Sequence, residues 1–207
     1  MLAAWAIACG LAAWGCGSPD DGAAPDESTV DDALTTQSCD AADTAVFFHG
    51  MGGAGRELGG PGLCVPRMSD SEFSSSIASV EAPGARVVGG YSAGRLTLLK
   101  RLASEAGHES VAIMLDPSYS DGRRFSGSTG PEIVTRWLDG DASRRFVFLY
   151  STSSVGWREY MELTRGPHAD RVRVCVLHGA HLTLPATVGR KLFVDVDAWV
   201  TERCEAP

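Results

Sequence analysis

Five short apolar runs, residues 45–48, 86–90, 111–115, 146–150 and 172–177, show no alternation of polar and apolar side chains. A strand with one wet face alternates, so runs of this kind read as strands covered on both faces. Stretches of helical character separate most of them, over residues 96–106, 131–138 and 157–164, and a last helix is expected between 186 and 203. Strand-then-helix order with doubly buried strands predicts an α/β fold, a doubly wound and mostly parallel sheet. Such a sheet binds its ligands beyond the carboxyl ends of its strands. The residues that follow the runs are chemically capable ones: His49 with a glycine-rich loop, Ser92, Asp116-Pro117, Ser151-Thr152-Ser153-Ser154, and His178-Gly179-Ala180-His181.

The second run passes directly into a helical stretch through Gly90-Tyr91-Ser92-Ala93-Gly94. In a G-x-S-x-G turn between strand and helix, the serine is pushed out of the sheet with its hydroxyl exposed, and the glycines let neighbouring backbone pass close by. The amides that open the helix favour negative charge developing beside it. Ser92 is therefore the candidate nucleophile. In a chain with 24 glycines the pentapeptide alone is a weak signal, and the strand before it and the helix after it give it meaning.

Gly50-Met51-Gly52-Gly53-Ala54-Gly55 also satisfies G-x-G-x-x-G, the dinucleotide fingerprint. That fingerprint needs a helix running on from the third glycine, with the pyrophosphate at its N-terminus. Here Arg56-Glu57-Leu58 is broken at once by Gly59-Gly60-Pro61-Gly62, so no full helix can start and no cofactor is expected. The loop is better suited to hold an oxyanion through backbone N–H groups, with Met51 and Ala93 as the donors, one from each strand end.

A serine hydroxyl needs a base to take its proton. Of the five histidines, His49 belongs to the glycine loop, His108 follows a helix and His168 lies in a polar loop. His178 and His181 both follow the last run. His181 is preferred because Gly179-Ala180 frees it from the strand, so that it can swing over the sheet edge.

In their order along the chain, the His49-Gly50 loop, the elbow from Gly90 to Gly94 and the Gly179-Ala180-His181 loop resemble the α/β-hydrolase family, over about residues 45–200. The resemblance implies a Ser–acid–His triad in that order. Many members carry the acid after the penultimate strand, where this chain has the hydroxyl run from Ser151 and no carboxylate before Glu159. An aspartate after the preceding strand is similar to the arrangement in pancreatic-type lipases, which selects Asp116, with Glu159, Asp121 and Asp170 as alternatives. Pro117 biases Asp116 towards an extended backbone, which would finish the strand with the carboxylate near the sheet edge. Only 35 residues separate Gly50 from Arg86, with no convincing strand and one helix expected near 71–80. The scale is that of a minimal hydrolase, similar to cutinases and small bacterial lipases.

What the resemblance implies is a serine esterase acting on small carboxylic esters through a Ser92–His181–Asp116 triad. An amidase or peptidase with the same triad is one alternative. A non-catalytic binding domain that kept the fold is another, suggested by the missing acid after the fourth run.

Residues 2–14 form an uncharged apolar run followed by Gly15-Cys16-Gly17-Ser18. The run is too short to span a bilayer as a helix and suits the hydrophobic region of an export signal over residues 1–15. Cleavage before Cys16 resembles bacterial lipoprotein processing, which would place a membrane-tethering lipid on Cys16; ordinary cleavage without lipid is the alternative. Residues 16–43 are acidic and poor in apolar side chains, the composition of a disordered tether, and residues 44–207 remain for one folded domain. The net charge of −8 and the scattered arginines argue against nucleic acid as a partner. Cys39, Cys64, Cys175 and Cys204 remain after the leader, an even set that suggests two disulfides in an exported chain. Pairing Cys39 with Cys64 and Cys175 with Cys204 makes both closures local.

Overall fold

The covered strands meet in a single sheet. The computed structural model describes residues 37–68, 80–104, 107–117, 127–152 and 158–205. In chain order the strands are β1 (Gln37–Ser38), β2 (Ala45–Phe48), β3 (Leu63–Cys64), β4 (Val80–Glu81), β5 (Val87–Tyr91), β6 (Val111–Leu115), β7 (Arg145–Ser151) and β8 (Val172–Leu177). The helices are α1 (Gly94–Ser104), α2 (Gly130–Asp139), α3 (Arg158–Met161), α4 (Leu184–Val188), α5 (Lys191–Val194) and α6 (Val196–Arg203). Six strands form the main sheet in the order β3-β2-β5-β6-β7-β8, and each neighbouring pair is parallel. β1 and β4 form a separate parallel pair.

Period-two geometry divides the apolar residues between two faces. Val46, Phe48, Val88, Ala112, Met114, Phe146 and Phe148 pack with Leu98, Leu99 and Leu102 of α1 and with Ile133, Val134 and Trp137 of α2. Ala45, Phe47, Val87, Tyr91, Ile113, Leu115 and Leu149 pack with Leu184, Leu192, Phe193 and Trp199 of the C-terminal helices. The i, i+1, i+4 spacing of the α1 leucines is what turns one side of that helix to the sheet. α2 begins with a capping box: Glu132 N–H donates to the Thr129 hydroxyl at 3.4 Å, and Thr129 N–H donates to the Glu132 carboxylate at 2.7 Å.

Several sequence expectations change in detail. The interval after Gly50 does contain strands, β3 and β4, each of two residues and so too short to make a periodic signal. The C-terminal helix is three helices, because Gly189 adopts φ 64° and Asp195 leaves the helical region before capping α6. The expected tether ends earlier than residue 43: β1 pairs with β4, and Cys39 is buried against the core. Both disulfides form as paired from the sequence, Cys39–Cys64 and Cys175–Cys204. The leader, Cys16, residues 16–36 of the tether, Asp121 and the helix near 71–80 (apart from Val80, in β4) lie outside the described residues. Among the described residues no helix is long and apolar enough to cross a membrane.

The topology fixes where a site can form. From β2 the chain moves outward to β3, whereas from β5 it moves the other way to β6, so the order reverses between β2 and β5. Loops leaving in opposite directions open a crevice at the carboxyl ends of those two strands. The Gly50 loop and Ser92 leave the sheet there.

Candidate active site

Ser92 follows β5 with φ 52°, a left-handed conformation that a serine adopts only when its surroundings force it. The forcing is steric. At Gly94 an ideal Cβ would lie 2.6 Å from the His49 carbonyl oxygen and closer still to that of Phe48, so only glycine lets α1 start directly against the end of β2. The turn between strand and helix is thereby compressed, and Ser92 takes the strained position. Ser92 N–H donates to the Leu115 carbonyl at 3.2 Å, tying the elbow to β6.

Three of the side chains singled out from the sequence form one hydrogen-bonded chain. His181 Nε2 lies 3.1 Å from Ser92 Oγ, and His181 Nδ1 lies 2.6 Å from Asp116 Oδ2. Asp116 is fully buried, and the His181 side chain is 28% exposed. A carboxylate facing Nδ1 holds the proton on that nitrogen, which leaves Nε2 as the acceptor towards the serine.

Asp116 does not simply end its strand in extended form. Its φ is 39°, contrary to the expectation drawn from Pro117. The carboxylate contacts account for the difference: Ser151 N–H donates to Oδ1 at 2.8 Å and Ser151 Oγ–H to Oδ2 at 3.0 Å. Together with His181 these are three donors to one buried carboxylate, enough to offset a strained backbone that costs ~1–3 kcal/mol. From the sequence, Ser151, at the end of β7, is one of four hydroxyl residues after the fourth run and has no role beside the candidate acid. A hydroxyl residue ending the strand next to Asp116 is the signal that points to it.

Glu159 lies in α3, and Asp170 sits in the 3-10 turn Ala169–Arg171 that leads into β8, at the opposite end of the parallel sheet from His181. His178 is exposed with Nε2 3.2 Å from Glu205, and His168 Nε2 lies 2.6 Å from Asp139.

Met51 opens a 3-10 turn, Met51–Gly53, and Ala93 lies between Ser92 and α1; neither amide donates to another backbone group among the described residues. His49 is buried beside them. Its Nδ1 donates to the Gly50 carbonyl at 2.6 Å, while Nε2 accepts from Arg56 Nε at 3.1 Å and from Met68 N–H at 3.2 Å. Two donors on Nε2 require the Nδ1–H tautomer. The Gly50–Met51 peptide is therefore fixed by its oxygen, which turns the Met51 N–H to the opposite side.

Tyr91 was named in the motif only as its variable position. Its hydroxyl donates to the His181 carbonyl at 2.7 Å, and its ring stacks on the imidazole with centroids 4.9 Å apart. Burial first, then the Asp116 and Glu57 carboxylates, pushes its phenol up to about 12.

No protein-family model, curated protein or solved structure matches this chain.

Proposed function

We propose that this protein is an exported serine hydrolase of minimal α/β-hydrolase type that cleaves carboxylic esters. The observation that carries the reading is the continuous chain from Asp116 through His181 to Ser92, at 2.6 Å and 3.1 Å, at the carboxyl ends of parallel strands. A strained serine, a base within reach of its hydroxyl and a buried acid that orients the base are the parts of nucleophilic acyl transfer.

His181 Nε2 takes the Ser92 proton as Ser92 Oγ attacks the ester carbonyl. The carbonyl oxygen gains negative charge, which the Met51 and Ala93 amides receive; each such donor is worth ~10²–10³ in rate. Asp116 stabilises the imidazolium that forms. His181 then gives its proton to the departing alcohol, and a water molecule, deprotonated by the same nitrogen, releases the acid and restores Ser92.

The binding-domain alternative rested on the lack of an acid after the fourth run, and the contact between Asp116 and His181 argues against it. Two disulfides fit an oxidising compartment, in keeping with export, and a lipid on Cys16 would tether the domain to a membrane. The test is hydrolysis of a panel of p-nitrophenyl esters by purified protein, with Ser92→Ala as control. Turnover of at least one short-chain ester, abolished in the control, is expected. Equal background rates in both proteins would contradict an esterase.

A further inference from the structure

His181 lies four residues beyond Leu177, the end of β8, and opens a 3-10 turn that has no side-chain cap. Its contacts to Asp116 and Ser92 hold the two ring nitrogens. Two points define an axis, and an imidazole held only there can still tilt about it while its backbone drifts.

Tyr91 supplies the missing constraints. Its ring lies against the imidazole at an interplanar angle of 28°, which limits the tilt. Its hydroxyl donates to the His181 carbonyl, an oxygen that also accepts from the Leu184 N–H of the same turn, which limits the drift. The same ring supports the other side of the site. A Cβ on Gly50 would stand 3.0 Å from Tyr91 Cδ1 and Cε1, so the Gly50 backbone rests directly on the tyrosine. Tyr91 is itself anchored: it is fully buried, ends β5 in register with Leu115, and is bonded to Ser92 through the chain.

We propose that Tyr91 is a positioning residue that sets both His181 and the Gly50–Met51 peptide in place relative to Ser92. This rests on the serine-hydrolase reading above. A phenylalanine would provide the stack alone, and an aliphatic residue only the packing. The hydroxyl is needed because a loop-borne base has no strand to fix its backbone. A phenol at its ordinary value of 10.0 is already protonated, and so a donor, throughout the range in which an imidazole titrates, and burial raises it further.

The test uses the full chain as wild type, Tyr91→Phe and Tyr91→Leu, a short-chain p-nitrophenyl ester as substrate, and a fluorophosphonate to label Ser92. Urea unfolding gives the folded fraction used to normalise each rate. Tyr91→Phe loses one neutral hydrogen bond and should lower kcat about three- to tenfold with KM within about twofold. Tyr91→Leu also loses the stack and should lower kcat by about a hundredfold, the scale of a small misplacement at a reacting centre. The labelling rate should fall by the same factors, because labelling also needs His181 to take the Ser92 proton. Tyr91→Phe turning over and labelling at wild-type rates would overturn the positioning role, as would a lower urea midpoint with unchanged kcat per folded molecule. Wild type that is folded yet never labelled on Ser92 would overturn the serine-hydrolase reading and the Tyr91 role with it.

Discussion

Replacing Asp116 by asparagine keeps the side-chain volume and changes a single hydrogen-bonding atom. Oδ1 accepts from the Ser151 backbone N–H, a donor that cannot rotate away, so the asparagine carbonyl oxygen must take that position. Its NH₂ then occupies the place of Oδ2, facing His181 Nδ1, while the Ser151 hydroxyl turns to accept from it. A donor facing Nδ1 moves the imidazole proton to Nε2, the atom that must receive the Ser92 proton, and the base is blocked. The flipped amide would restore the tautomer but set NH₂ against the Ser151 N–H. In a buried site that mismatch costs ~1–3 kcal/mol, leaving about one molecule in five to about one in 160 competent. Competent molecules still lack the negative charge that stabilises the imidazolium, and losing an acid of this kind in the same way costs ~10⁴ in turnover. The expected loss in kcat therefore lies between about 10² and 10⁴, equivalent to ~2.7–5.4 kcal/mol. Ester hydrolysis by wild type and Asp116→Asn, with the urea midpoint of each, measures it. Activity within tenfold of wild type in a folded variant would refute both the fixed amide orientation and the role of Asp116.

Ser151→Ala removes the hydroxyl donor to a buried carboxylate, and a loss of ~1.5–3 kcal/mol in urea unfolding is expected together with reduced turnover. Gly94→Ala brings a methyl group against the Phe48 and His49 carbonyls, and should destabilise by at least ~1–3 kcal/mol, read as a lower urea midpoint or loss of soluble protein. Reducing the disulfides, with cysteine separations of 25 and 29, should lower stability by ~3–4 kcal/mol each, measured by urea unfolding with and without reductant. Tyr91 has its pKa raised from 10.0 to about 12 by folding, so its contribution is complete below pH 10 and is lost as pH rises from 10 to 12. Urea midpoints followed across that window should fall further in wild type than in Tyr91→Phe.

The middle of the sheet was legible because β2, β5 and β6 are buried on both faces, which leaves unbroken apolar runs such as those at residues 45–48 and 111–115. β1, β3 and β4 have two residues each and were not legible, since pairing partners define them and no local pattern does. Ser92, His181 and Asp116 could be named because each follows a strand, and parallel strands bring such positions to one edge. Their supports were harder to see. Ser151 and Tyr91 act through hydrogen bonds to partners 35 and 90 residues away, and the tautomer of His49 is set in part by Met68, 19 residues away, which no spacing in the chain announces. The backbone of Asp116 was misjudged for a related reason. Pro117 is a local signal, whereas the donors that fix the carboxylate come from β7 and from the loop after β8.

The central claim is that Ser92 is an activated nucleophile. Purified protein treated with a fluorophosphonate and mapped by mass spectrometry tests it directly, with Ser92→Ala as the control. A single adduct on Ser92, absent from the control, is the predicted result. Folded protein that carries no adduct on Ser92 would contradict the account.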